Sequence, residues 1–244
     1  MTLLLLAGTG EARRIAAALK GRDAVASLAG ATREAAPLDL PVREGGFGGA
    51  AGFEAFLDEA GIEAVLDATH PFAHRITRRS AEICAARGLP YLQFLRPPWQ
   101  PGPGDRWTEI TREEDAARHM PEGATVFLGT GRQRLERFAN LEGRRVICRR
   151  IDPPEGAFPF PGGDYLLGRP PFSAADEEAL FRRLDIDVLV VKNAGGAASA
   201  TKLAAARALG LPVLMLRRPD PGPWPVTQDV EEAIRWAQAH TAND

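Results

Sequence analysis

The chain has 244 residues, 45% hydrophobic and 25% charged, with a formal charge of −2 from 30 basic and 32 acidic side chains. That mixture predicts a soluble globular protein of one large or two small domains, and excludes disorder, a fibrous repeat and a membrane span. The balanced charge predicts no global attraction for nucleic acid or an anionic membrane, so any anion site must be local.

In chain order, the apolar stretch 2–7 reads as a buried strand. It has no basic start and breaks at Gly8, which predicts neither a signal peptide nor a span, and so a cytoplasmic protein. A helix over 11–20, strands over 24–29 and 41–43, a helix over 52–60, a strand over 64–67, a helix over 73–87 and a strand over 90–95 follow. Short Val- and Leu-rich runs alternating with helices predict a parallel sheet covered on both faces. The run Arg96-Pro-Pro-Trp-Gln-Pro-Gly-Pro-Gly-Asp105 holds four prolines and two glycines in ten residues, which predicts a stiff linker.

The alternation then restarts with a helix over 113–119, a strand over 125–128, a helix over 133–138 and a strand over 145–149. After a Pro/Gly-rich loop come a strand over 164–167, a helix over 173–183 with Ser173 as cap and Asp176 in the capping-box place, and a strand over 187–191. A helix over 198–209, a strand over 212–216 and a final helix over 230–239 complete the chain. The expected domains are 1–97, a linker over 98–107, and 108–244, with the final helix free to pack on either half. Cys84 and Cys148 are far apart and read as buried thiols, and no metal is expected.

An internal echo links the halves. Leu6-Ala-Gly-Thr-Gly10 and Leu128-Gly-Thr-Gly131 both place a glycine-bracketed Thr between a strand and a helix, 121 residues apart. Each offers bare backbone N–H groups where an anion is favoured. Gly8, Thr9, Gly10 and Glu11 occupy the place of a dinucleotide-binding turn, although the third glycine position falls on Arg13. The same glycines also suit a plain tight turn.

After the second strand, Ser27 to Arg33 offers no acidic residue for ribose hydroxyls, but Thr32 and Arg33 suit a 2′-phosphate. That favours NADPH over NADH; Arg33 as a solvated loop residue is the alternative. Asp67-Ala-Thr-His-Pro-Phe-Ala73 follows the fourth strand, where Pro71 can open the next helix, Thr69 can cap it and His70 can donate a hydrogen bond or carry a proton. A histidine there also serves structure alone.

Lysine is rare: Lys20, Lys192 and Lys202 are all there are. Lys192 and Asn193 leave a strand ahead of Gly195 and Gly196, and Lys202 lies in the next helix, a set suited to carboxylates or phosphates. Arg132 and the Arg149-Arg150 pair can add charge, or simply face solvent.

Together AGTGEA, DATHPFA, and VKNAGG followed by TKLAAARALGLPVLMLRRP resemble the precorrin-6A reductase family of cobalamin biosynthesis, in order and over most of the chain. Ala7 and Gly10 depart slightly from the family pattern at the first turn, and Ala194 stands where many relatives carry Ser. The resemblance implies two Rossmann-like domains with NADPH and the macrocycle in an interdomain cleft. It implies hydride transfer that reduces one carbon–carbon double bond of precorrin-6A to give precorrin-6B, with a proton added alongside. The substrate carries acetate and propionate carboxylates, which Arg132, Lys192 and Lys202 suit. An obvious proton donor is missing from the sequence. Other readings are a cobalt-precorrin-6A reductase, a two-domain nucleotide-sugar glycosyltransferase and a bilobal sensor of small anions. Fold analogy alone does not choose among them.

Overall fold

Four consecutive leucines set the architecture of the first unit. In β1 (Thr2–Leu6), Leu3 and Leu5 pack in one apolar cluster and Leu4 and Leu6 in another, because successive strand side chains point to opposite faces. Each such burial contributes roughly 2 kcal/mol before the entropy of ordering is subtracted. A strand apolar on both faces requires cover on both faces, and helices supply it. The structure, a computed structural model, describes residues 1–30, 37–131, 134–154 and 156–242.

After β1 come α1 (Gly10–Ala18), β2 (Ala24–Leu28), β3 (Val42–Glu44), α2 (Ala50–Glu59), β4 (Ile62–Asp67), α3 (His74–Arg87) and β5 (Tyr91–Phe94). The second unit begins with β6 (Arg106–Ile110), then a 3₁₀ helix at Glu113–His119, β7 (Thr125–Leu128), a 3₁₀ helix at Leu135–Leu141, β8 (Arg145–Arg150) and β9 (Gly163–Leu167). It continues through α4 (Ala174–Arg183), β10 (Val188–Lys192), a 3₁₀ turn at Ala197–Ser199, α5 (Thr201–Leu209) and β11 (Pro212–Leu216). The chain ends with β12 (Val226–Thr227) and α6 (Val230–Ala239).

Each unit is built on a parallel six-stranded sheet, ordered β12-β5-β4-β1-β2-β3 in the first and β6-β11-β10-β7-β8-β9 in the second. Counted outward from β1 and from β7, both follow the doubly wound order 3-2-1-4-5 plus an edge strand. The direction of winding reverses between β1 and β4 in one sheet and between β7 and β10 in the other. At these reversals neighbouring loops diverge and leave a crevice at the carboxyl ends of the strands.

The unit boundaries correct the expected ones. Residues 1–97 and 219–244 form the first unit, and 98–218 the second. The final helix therefore packs on the first half: Ala233, Ile234 and Ala237 of α6 join Ala12, Ile15 and Ala16 of α1 in one core, and Arg14 pairs with Glu231. The expected linker is likewise part of the second unit. Asp105, almost fully buried, holds Arg207 through two hydrogen bonds of 2.9 and 2.7 Å. Arg106–Ile110 pairs with β11 as an edge strand, mostly exposed along its length. Its polar sequence and single buried residue, Ile110, concealed it.

Local chemistry explains other differences. The expected helices over 113–119 and 133–138 are 3₁₀ segments, the first closed by Asp115 accepting from the Arg112 N–H at 3.2 Å and followed by Pro121. Arg134 enters the second in a left-handed conformation, φ 64°. Neither Pro71 nor Thr69 starts α3, whose cap is the Ala73 backbone with no side-chain bond. Ser173 does cap α4, with Asp176 reciprocating. Cys84 and Cys148 are buried free thiols, pushed by burial up to about 12 and about 11.

Candidate active site

The first crevice is built where β1 and β4 part. Thr9 caps α1: its hydroxyl accepts from the Ala12 N–H at 3.1 Å and donates to the Ala68 carbonyl at 2.9 Å. One buried side chain thus ties the two strand ends together. A Cβ at Gly8 would meet nothing within 4 Å, and one at Gly10 only the Arg13 guanidinium at 3.9 Å, so the backbone of this turn is open to close approach by a ligand. That openness, at the positive end of a helix, fits a dinucleotide's phosphates. Glu11 is held by Arg96 at 2.8 Å, which offsets its negative charge beside the turn.

Across the crevice, fully buried Asp67 accepts from the Thr69 N–H at 2.9 Å and from the Tyr91 hydroxyl at 3.0 Å. Burial, followed by the Asp67 charge, raises the Tyr91 pKa, so Tyr91 stays a protonated donor. These bonds fix the segment that carries Thr69 and His70. The Thr69 hydroxyl lies 3.4 Å from that of Thr77. His70 Nδ1 accepts from the Phe72 N–H at 3.2 Å, which puts the proton of the neutral ring on Nε2. Gly8, Thr9, Gly10, Glu11, Thr69 and His70 are therefore brought together at one switch point. Thr32 and Arg33 lie outside the described residues.

The second crevice opens where β7 and β10 part. Lys192 ends β10, half-buried; burial lowers its pKa, with Glu113 opposing and Arg134 adding to the shift. Glu113 itself is buried, with Arg134 and Arg137 at 3.7 and 3.6 Å. Asn193 bonds twice to Trp99: its amide oxygen accepts from the Trp99 N–H at 2.8 Å and its amide nitrogen donates to the Trp99 carbonyl at 3.1 Å. It clamps the proline-rich segment onto the strand end. Gly195 and Gly196 follow with φ of 68° and 83°, two successive left-handed positions that a side chain would strain. The Gly196 carbonyl accepts from the Trp99 indole at 3.0 Å.

The Lys202 stem lies close to Gly129, just past the end of β7. A Cβ on Gly129 would come within 3.5 and 3.6 Å of the Lys202 stem and 3.1 Å of Val191, so glycine at 129 admits that stem. The ammonium donates to the Ser199 carbonyl at 2.9 Å, and burial, aided by Arg149 and opposed by Glu177, lowers its pKa to about 8. Arg149 is committed to a buried two-bond pair with Glu177, at 2.8 and 2.6 Å, and stands 4.2 Å from the centre of the Phe172 ring. Arg132 lies outside the described residues. Sequence reasoning passed over Glu113 and Trp99, and singled out the second Gly-Thr-Gly turn for its backbone N–H groups rather than for the Thr130 side chain. The burial of Glu113 left no signal in the sequence.

Two doubly wound parallel sheets with glycine turns at both reversals define a Rossmann-type α/β protein. The profile of a family described as precorrin-6x reductase CbiJ/CobK matches residues 2–238. The chain is 48% identical over 239 residues to the precorrin-6A reductase of Rhodococcus erythropolis, covering 96% of each. It is 29% identical over 232 residues to the cobalt-precorrin-6A reductase of Priestia megaterium, covering 89% of this chain and 90% of that one. A solved structure of CobK precorrin-6A reductase superposes with a TM-score of 0.92 at 40% identity, covering 98% of this chain and 97% of the other. The chain belongs to the precorrin-6x reductase family, and is an oxidoreductase of cobalamin biosynthesis. The family implies a reduced nicotinamide cofactor and a precorrin substrate. Among the described residues no three or more His, Cys, Asp or Glu side chains are grouped so as to hold a metal ion, and no helix is long and apolar enough to cross a membrane.

Proposed function

We propose that the chain uses NADPH to reduce one carbon–carbon double bond of precorrin-6A, giving precorrin-6B, with the first unit holding mainly cofactor and the second mainly substrate. The observation that carries this reading is the open Gly8-Thr9-Gly10 turn at the β1/β4 reversal, capped by Thr9 and lying at the start of α1. Its backbone N–H groups, with Thr69 and His70 opposite, would hold the dinucleotide, and Glu11 is kept from repelling it by Arg96. Thr32 and Arg33 follow β2 in sequence, with no acidic residue from Ser27 to Arg33, which supports a 2′-phosphate and hence NADPH. The reduced nicotinamide supplies the hydride.

The second unit contributes cations for a polycarboxylate ring. Lys192 and Lys202 would meet its carboxylates, with Arg132 from the adjoining segment. Asn193, Gly195 and Gly196 shape the strand end that presents Lys192. His70, whose neutral ring carries its proton on Nε2, is the group that would hand on the accompanying proton. The greater identity to the Rhodococcus enzyme than to the Priestia cobalt enzyme supports the metal-free substrate.

The test is steady-state NADPH oxidation by the full chain with precorrin-6A, with product identified by mass. Oxidation matched by a two-electron gain in the macrocycle is expected. Its absence across the accessible pH range overturns the reading.

A further inference from the structure

Lys192 stands level with two other strand ends. In the register of the second sheet it pairs with Leu216, and Leu216 pairs with Ile110, so β10, β11 and β6 finish side by side. Three residues past Ile110, the 3₁₀ helix at Glu113–His119 begins with a glutamate whose side chain is only 6% exposed. Arg134 and Arg137 stand 3.7 and 3.6 Å from its carboxylate, beyond hydrogen-bond length, and both arginines are largely exposed. Glu177, by contrast, accepts bonds of 2.8 and 2.6 Å from Arg149. A carboxylate taken out of water against arginines at the longer range adds little to the stability of the fold. What Glu113 does supply is negative charge beside Lys192, where it opposes the loss of charge that burial imposes. The other charges near the lysine are cationic: Arg134 works against it, and the Arg218 Nε donates to the neighbouring Asn193 carbonyl at 3.1 Å. Glu114 faces Arg112 and Arg137 instead, at 3.5 and 3.9 Å. Arg134 enters its own 3₁₀ helix at φ 64°, a conformation that a side chain disfavours, and from there its guanidinium faces Glu113.

We infer that Glu113 is a positioning residue acting through Lys192: its buried carboxylate holds the lysine as a cation at the end of β10, ready for a carboxylate of the tetrapyrrole. The inference rests on the reading that Lys192 meets the substrate. Glu113 itself touches no substrate. Arg134 is the counterweight, a cation on the far side of the same carboxylate that pushes against the lysine's charge. Without Glu113 the lysine end would face burial and neighbouring cations with nothing to offset them, and would give up its proton at lower pH.

Because Lys20, Lys192 and Lys202 are all the lysines there are, carbon-13 labelling of lysine gives three side-chain Cε signals in the full chain, and Lys192→Arg assigns the one of interest. Their titration midpoints are followed by NMR from neutral pH upward in wild type, Glu113→Gln and Glu113→Asp, without ligand. Glu113→Gln should lower the Lys192 midpoint by roughly one pH unit and leave those of Lys20 and Lys202 in place. Glu113→Asp keeps the charge but withdraws it by one methylene, so it should move the midpoint the same way by less, and it carries the test should glutamine fail to fold. Arg134→Gln, at an exposed side chain, should move the midpoint upward. Precorrin-6A is then titrated into each protein carrying NADP⁺. Glu113→Gln should match wild type at neutral pH and fall roughly tenfold behind once the pH passes its own Lys192 midpoint. In a Lys192→Arg background the same substitution should cause no alkaline loss, because arginine keeps its charge. An unmoved Lys192 midpoint overturns the inference, as does an equal movement at Lys202 or an alkaline loss that persists beside Lys192→Arg. Full tetrapyrrole affinity in Lys192→Met overturns instead the reading that this lysine meets the substrate.

Discussion

Lys202 is a buried cation that costs the fold stability. Its folded pKa, about 8, lies below the ordinary lysine value because burial disfavours the ammonium. Between that value and the usual lysine range the unfolded chain binds more protons than the folded one, so stability from this group rises with pH. Lys202→Met should therefore stabilise the protein at neutral pH, on the order of 1–3 kcal/mol, with the advantage shrinking as pH climbs above about 8. Urea midpoints for both proteins across that window check the sign; an advantage that grows with pH contradicts it. Arg33 makes a selectivity prediction at the same scale. Arg33→Ala should weaken NADPH far more than NADH in paired titrations, since only NADPH carries the 2′-phosphate. Equal losses would show that Arg33 does not read that group.

Between elements, the informative bond joins β8 to α4. Arg149 and Glu177 form a bidentate pair in which Glu177 is 1% exposed and Arg149 is 11% exposed. The pair's net contribution is small, because both charges were taken out of water, but half of it left alone is expensive. Glu177→Gln should cost roughly 3 kcal/mol in chemical denaturation, by stranding the Arg149 cation among Phe127, Phe172 and Lys202. A cost within error of an exposed pair, such as Arg118 with Asp115, would show that Arg149 reaches water when released. The elements themselves were largely legible, for simple reasons. β1, β7, β10 and β11 are short apolar runs, and α4 announces itself by Ser173 and Asp176. The two-residue β12 and the polar edge strand β6 were not, because an edge strand with one wet face carries little apolar pattern.

For the whole chain, the return of residues 219–244 to the first unit makes the C-terminus part of the N-terminal core. A chain ending at Arg218 loses β12 from the sheet edge and the α6 residues Ala233, Ile234 and Ala237 from the cluster around Ile15 and Ala16. Calorimetry of that truncation should show the first unit melting well below its position in the intact protein while the second unit's transition holds. A single transition unchanged in temperature would contradict the packing.

The amino-acid order alone determined the repeated strand-and-helix alternation, the Gly-Thr-Gly turns, the scarce lysines and the family resemblance, since those depend on local periodicity and on residues adjacent in the chain. Only the tertiary structure decided which half the last helix joins, that Asn193 is spent on Trp99, and that Thr9 is satisfied while the Thr130 hydroxyl finds no partner among the described residues. Those outcomes turn on partners tens to hundreds of residues away, whose proximity is set by strand order and burial rather than by any local pattern.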